Sequence, residues 1–268
     1  MPDAYRLRAF VLLYTEVNTM QINENNTKQE LKEFLESVYP YRIELHAHTT
    51  PVSGCSQITP EDMARTYSEL GYHAVTITNH FIGYKFCDMT KNEALDYYMK
   101  DFLDCKALED KYGIKFYLGC EIRFQTQGNN DYLIYGCDRD LLSTAYDYLG
   151  KTLEEYRSDI KLDKSVFVQA HPFRDGISRA DKSLLDGIEV FNLHPGHNSR
   201  IGLAARYASE EGLKIKIGGS DFHHPERKHE GVGGIRTKTL PCDSFKLAEI
   251  LKSGDYLIEV GGDILALA

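Results

Sequence analysis

The chain has 268 residues, 42% of them hydrophobic, which is enough apolar material for one large core. Its formal net charge of −9 speaks against a broad nucleic-acid or anionic-membrane surface and against long duplex substrates, because an acidic field repels polyanions. The six cysteines show no C-x-x-C spacing, and the apolar stretch "FVLLY" near the start is too short for an export signal or a membrane span; reduced thiols and a cytoplasmic location are expected.

In chain order, residues 1–39 form an N-terminal helical extension, in which "NTKQELKEFLESVY" reads as an amphipathic helix opened by Asn or Thr. Strand patterns follow at 41–49, 73–80, 115–124, 131–136, 165–172, 187–195 and 213–221, with "IRTKTL" as an extra edge contribution. Helical patterns lie between most of them, at 60–70, 91–111, 140–160 and 199–211, and "PCDSFKLAEILKSG" supplies another near the end. No low-complexity segment, fixed-period repeat or Pro/Gly linker divides the chain. The alternation predicts an α/β protein in which residues 40–268 form a distorted (β/α)7 barrel of the TIM-like type, with parallel strands.

The strands end in a common chemistry. The first ends in His46 and His48, the second in His80, the third in Glu121, the fifth in His171, the sixth in His194, and the seventh in Asp221 and His223. In a parallel barrel these ends gather at one face, and positions two apart in a strand point to the same side. His46 with His48, and Asp221 with His223, therefore reach one centre. Imidazoles with carboxylates suit zinc, manganese or iron, and Glu121 has two oxygens with which to bridge two ions. A single strand-end histidine is ordinarily a hydrogen-bonded structural residue; it is the bias of the ten histidines toward strand ends that makes the set a metal site. His73 opens a strand and belongs at the opposite face, His229 in "PERKHEG" is expected in solvent, His224 points away from His223, and His197 stays undecided.

The stretches "ELHAHTT", "GYHAVTITNH", "GCEIRF", "QAHPFR" and "GGSDFHHP", spread in this order from residue 44 to residue 225, resemble the motifs of the polymerase and histidinol phosphatase (PHP) family of metal-dependent phosphoesterases. The resemblance implies a distorted seven-stranded barrel and two or three divalent ions, zinc, manganese or iron. It assigns His46, His48, Glu121 and Asp221 to the first ion, Glu121 and His171 to the second, and His80 and His223 to the third position. It implies hydrolysis of a phosphomonoester or small phosphodiester by a metal-activated hydroxide, histidinol-phosphatase-like in character, on a small phosphorylated substrate. The sequence departs from the pattern in three places. Where members carry Asp or His after the first motif, this chain has Ser53, Gly54 and Cys55; Asn79 replaces an acid beside His80; and "DYLIYGCDRD" lacks a histidine, leaving Cys137 or Asp138 as stand-ins.

Two arginines complete the expected site. Arg174 should lie at the rim as a catalytic and substrate-binding group, and Arg123 on the same side of its strand as Glu121; either guanidinium can grip two phosphate oxygens or be spent in an ion pair. Asn192 contacts substrate or orients a ligand, His194 is a substrate contact, and Cys120 packs on the far side. Two other functions share much of this pattern. A metal-dependent amide hydrolase would commonly bridge its ions with a carbamylated lysine, which no strand end here supplies, and a non-catalytic module would bind metal or phosphate without turnover.

Overall fold

The computed structural model describes residues 27–227 and 232–265, so most of the N-terminal extension and His229 lie outside the described residues. Helix α1 (Lys28–Val38) starts at Thr27, whose hydroxyl accepts from the Glu30 amide at 3.2 Å while the Glu30 carboxylate accepts from the Thr27 amide at 2.8 Å. This reciprocal cap satisfies two amides that a helix start otherwise leaves unpaired.

Twelve strands follow: β1 (Tyr41–Ala47), β2 (Ala74–Ile77), β3 (His80–Ile82), β4 (Lys115–Leu118), β5 (Cys120–Arg123), β6 (Tyr132–Tyr135), β7 (Val166–Gln169), β8 (Gly187–Asn192), β9 (Ile215–Gly219), β10 (Gly233–Thr237), β11 (Tyr256–Val260) and β12 (Asp263–Leu265). They form two six-stranded sheets, ordered β12-β11-β10-β1-β2-β4 and β3-β5-β6-β7-β8-β9. The fold is therefore mixed α/β, and the pairing is not one ring of parallel strands.

The difference from the expected barrel has local causes. The segments expected as single strands at 73–80 and 115–124 each break once, so that β2 pairs with β4 in one sheet and β3 with β5 in the other. Gly119 sits at the second break, where a Cβ would meet the Thr76 and Thr78 methyls at 2.8 and 2.9 Å; any larger residue would push the two strands apart. Strand β6 runs antiparallel to both β5 and β7. Strand β10 is no edge piece: it lies between β1 and β11, antiparallel to both, and β11 with β12 forms a hairpin beyond the expected elements. At the opposite border of the sheets, Ala47 bridges Phe222 in parallel, and the Asp221 amide donates to the His46 carbonyl at 2.8 Å.

The helices α2 (Pro60–Glu69), α3 (Lys91–Lys106), α4 (Glu109–Tyr112), α5 (Arg139–Tyr146), α6 (Leu153–Asp159), α7 (Ile201–Glu210) and α8 (Ser244–Ser253) pack outside the sheets. The expected helix at 140–160 is two, because Thr152 opens a fresh capping box with Glu155. Apolar residues of β1, β6, β7 and β9, among them Ile43, Leu45, Leu133, Val168 and Ile217, form a core that α8 covers with Leu247 and Leu251. No helix among the described residues is long and apolar enough to cross a membrane.

Candidate metal centre

Strand β1 alternates. Ile43, Leu45 and Ala47 enter the apolar core, and Glu44, His46 and His48 stand between them, fully buried, on the other side. Glu44 is stitched in place: its Oε1 accepts from the His46 amide at 2.9 Å and the Ser220 amide at 3.0 Å, and its Oε2 accepts from the Tyr67 hydroxyl at 2.9 Å. This network fixes the end of β1 against the turn after β9, where Asp221 takes a left-handed φ of 53°. His171, after β7, has φ 28°. Such conformations cost on the order of 1–3 kcal/mol and persist where the surroundings over-determine them.

The carboxylate of Glu121 is the hub. Its Oε1 lies 3.1 Å from His171 Nε2 and 3.5 Å from His46 Nε2, and its Oε2 lies 2.7 Å from His80 Nδ1 and 3.4 Å from His48 Nε2. Asp221 Oδ1 stands 3.5 Å from His46 Nε2, 3.2 Å from His48 Nε2 and 3.3 Å from His223 Nδ1. The His48 ring lies 4.5 Å from that of His80 and 4.4 Å from that of His223 between centroids. All seven residues expected as ligands thus converge, and ligand atoms lie close enough to share an ion in three groups: His46, His48 and Asp221; His80, Glu121 and Asp131; and His48, His80 and His223.

The donor set is that of a metal centre. His46 Nε2 and His48 Nε2 are buried without a hydrogen-bond partner, which is costly in a protein interior unless something outside the chain satisfies them, and His80 Nδ1 and Glu121 Oε2 have only each other, at 2.7 Å. His46 Nδ1 faces Glu189 Oε1 at 2.8 Å, so its proton belongs there and the Nε2 lone pair faces the centre. Burial opposes charge on His46, but Glu189, Asp221 and Glu121 outweigh it and hold its pKa well above the usual value. Burial likewise opposes charge on Glu121 and Asp221; the positive fields of His80 and His46 on the one, and His46 and His223 on the other, keep both well below the carboxylate range. His48 is pushed well below its usual value by burial and then by His223 and His80.

Several residues change role. Because β6 is antiparallel, its beginning and not its end reaches the centre. Asp131 lies there, buried, with His171 Nε2 at 3.8 Å. Cys137 and Asp138 lie at the far end: Cys137 is buried in the core and Asp138 caps α5 through the Leu141 amide at 2.8 Å. Arg123 is spent in a two-pronged pair with Asp131, at 2.6 and 2.7 Å, the ion-pair alternative to phosphate binding. Arg174 stays at the rim, 3.9 Å from Asp131 Oδ2 and with its side chain 20% exposed. Asn192 ties two carboxylates together: its amide donates to Glu189 Oε2 at 3.0 Å and Asp221 Oδ2 at 3.1 Å. His194 stacks on His197 at 3.8 Å, and His197 Nδ1 approaches Asp221 Oδ2 at 3.4 Å, which draws His197 into the site.

At the departures from the motif pattern, Asn79 bonds the Thr49 amide at 2.7 Å and braces the first loop, and Ser53 Oγ accepts from the His80 amide at 2.9 Å. Burial raises the Cys55 thiol, but hydrogen bonding to His223 and His80 outweighs it and brings it down to about 6. His73 accepts from the Arg42 amide at 3.1 Å, and His224 faces Glu226, both outside the centre. Glu189 and Asp131 escape a search of strand ends. The signal for Glu189 was a lone acid inside the apolar run "GIEVFN", which burial makes costly unless it is paired.

Residues 44–218 match the family model described as PHP domain. No curated protein matches the chain. Among solved structures, the chain is similar to a two-domain protein from Bacteroides vulgatus ATCC 8482 described as containing a predicted PHP-like metal-dependent phosphoesterase, with a TM-score of 0.54 and 18% identity. The match covers 81% of this chain and 64% of that one. PsfC from Pseudomonas syringae PB-5123 matches at a TM-score of 0.53 and 16% identity, over 77% of this chain and 86% of its own. An amidohydrolase from Chromobacterium violaceum gives a TM-score of 0.49 and 16% identity, over 70% of this chain and 89% of its own.

Proposed function

Since the chain belongs to the PHP domain family, we propose that it hydrolyses a small phosphoester, a phosphomonoester or small phosphodiester, with two or three divalent ions. The observation that carries this reading is the convergence of buried His46 Nε2, His48 Nε2, His80 Nδ1 and Glu121 Oε2 on one centre, the first two without a hydrogen-bond partner. His46, His48, Asp221 and Glu121 would hold the first ion, Glu121, His171 and Asp131 the second, and His80 and His223 with His48 the third. The imidazole and carboxylate set suits zinc, manganese or iron. Ions bound there supply Lewis-acid neutralisation of the phosphoryl oxygens and a lowered water pKa.

The chain's own groups do the rest. Glu189 holds the His46 tautomer, and Asn192 holds Glu189 and Asp221 in register. Arg174, at the rim, offers a guanidinium to a phosphoryl oxygen, the geometry in which a fork donor is strongest. His194 is pulled down to about 4, by burial first, so it is neutral at neutral pH. Its Nδ1 accepts from the Gly196 amide at 3.0 Å, which leaves an Nε2 proton to donate to a substrate oxygen. In the same reading residues 40–268 act as one unit; the backbone contacts between residues 46–48 and 221–222, which tie β1 of one sheet to the segment after β9 of the other, support it.

The test is replacement of His46, Glu121 or Asp221 by Ala, assayed on a panel of phosphate esters and amides with added manganese or zinc. Phosphate-ester hydrolysis should vanish in each variant. Near wild-type turnover in any one contradicts the reading, and amide cleavage without phosphoester cleavage transfers it to an amide hydrolase.

A further inference from the structure

Beyond Arg174 the surface opens into a groove of about 860 Å³, walled by the loop after β7 and by α7. That is the size of a small-molecule site, about 300–1,000 Å³. Between β7 and β8 the chain makes no α-helix, only a short turn at Lys182–Leu184, so the loop itself forms the wall. It is held from beneath by two buried amides. Gln169 donates to the Ser178 carbonyl at 2.6 Å and accepts from the Ala180 amide at 3.0 Å, while Asn130 accepts from the Ser178 amide at 3.0 Å. From the side, Arg200 donates to the Phe173 carbonyl at 2.8 Å. A groove tied at this many points is shaped before any ligand arrives, which lowers the ordering cost of binding.

The charges of the groove are mostly spent. Lys182 pairs with Glu211 at 2.6 Å, Arg200 pairs with Asp175, and Asp181 accepts from the Ser183 amide at 2.9 Å. Arg179 differs. Its guanidinium carbon lies 5.2 Å from the Phe173 ring centre and 5.4 Å from that of Tyr207, and among the described residues no carboxylate pairs with it. Rings that pack against a guanidinium fix its plane and leave its N–H edges to donate, the arrangement that recognises a carboxylate or phosphate two-pronged.

We infer that this groove is a subsite for a second oxyanion, a carboxylate or a phosphate, carried on the leaving-group side of the substrate and read by Arg179. Arg174 joins the two regions, since it lines the groove and stands 3.9 Å from Asp131. The inference rests on the phosphoesterase reading and narrows its substrate class to phosphoesters with a second anionic end.

The experiment compares a ladder of ω-carboxyalkyl and ω-phosphoalkyl phosphates of increasing length with methyl-ended alkyl phosphates of matched length, on manganese-loaded protein. The expected result is a preference of about tenfold or more in kcat/KM for the anionic members, lost in Arg179→Gln and kept in part in Arg179→Lys. The carboxylate and phosphate arms show which oxyanion is preferred. No preference at any length, or a preference unchanged in Arg179→Gln, overturns the inference. The same ladder as phosphonates, followed by calorimetry, separates the two claims. If no phosphate is hydrolysed, the phosphoesterase reading fails, while a binding preference that Arg179→Gln removes keeps the subsite; equal binding of both phosphonate series overturns it.

Discussion

Glu189→Gln changes one oxygen to an amide nitrogen at constant volume, and the surrounding donors make the exchange costly. Glu189 Oε1 receives the His46 Nδ1 proton at 2.8 Å, and Oε2 receives the His171 amide at 2.9 Å and the Asn192 side-chain amide at 3.0 Å. Every neighbour is a donor, so the new NH2 group must face one of them. If it faces His46, the imidazole must move its proton to Nε2, and the lone pair aimed at the centre is lost. If it faces the other way, buried donors are left unpaired, at about 1–3 kcal/mol. Loss of such a supporting partner typically weakens a metal about 10- to 100-fold, or about 1.4–2.8 kcal/mol. Titration of chelator-stripped protein with zinc against a chromophoric competitor measures this directly, with circular dichroism to confirm the fold. Affinity within about twofold of wild type would refute the claim that Glu189 sets the His46 tautomer.

Other outcomes follow from the same geometry. Asp131→Asn should lower metal content and free Arg123, whereas Cys137→Ala should leave metal content unchanged; elemental analysis of both variants decides which end of β6 serves the site. In Gly219→Ala the new Cβ would fall 2.5 Å from His46 Cβ and 3.0 Å from Glu189 Oε1. Such overpacking should cost about 1–3 kcal/mol in thermal unfolding and weaken metal binding with it. His80 is raised from 6.5 to about 10: burial opposes its charge, but Glu121 and Cys55 outweigh it. A raised pKa contributes stability that is fully present below 6.5 and lost as pH rises through about 10, so the metal-free protein should melt at progressively lower temperature across that window. Metal affinity should rise over the same window, because the ion displaces that proton. A flat melting profile, or affinity that falls, would contradict the protonated His80.

The candidate ligands at strand ends were legible because β1, β7 and β9 lead into them in short local motifs: His46 and His48 share a face by the two-residue period, and Asp221 comes two residues after β9. His80 and Glu121 were also readable, although the breaks at Asn79 and Gly119 that split their strands between two sheets were not. Strand direction was the main loss. Nothing within "DYLIYGCDRD" distinguishes a parallel strand from an antiparallel one, and that single choice moved the site from Cys137 and Asp138 to Asp131. Pairing partners are non-local, so "IRTKTL" alone reads as an edge piece although β10 joins β1 to β11. The hairpin "YLIEVGGDIL" did carry its own mark, a β-branched run closed by Gly-Gly. Arg123 shows the remaining gap: its side of the strand was predictable, but its partner, Asp131, required the neighbouring strand.

The most direct test of the metal-dependent phosphoesterase account is metal content by elemental mass spectrometry on protein purified without chelator or affinity metal, paired with hydrolysis of an aryl phosphate before and after chelation. The account predicts two or more ions per chain and hydrolysis that disappears with the chelator and returns with manganese or zinc. One ion or none, with no hydrolysis under any added metal, would contradict it.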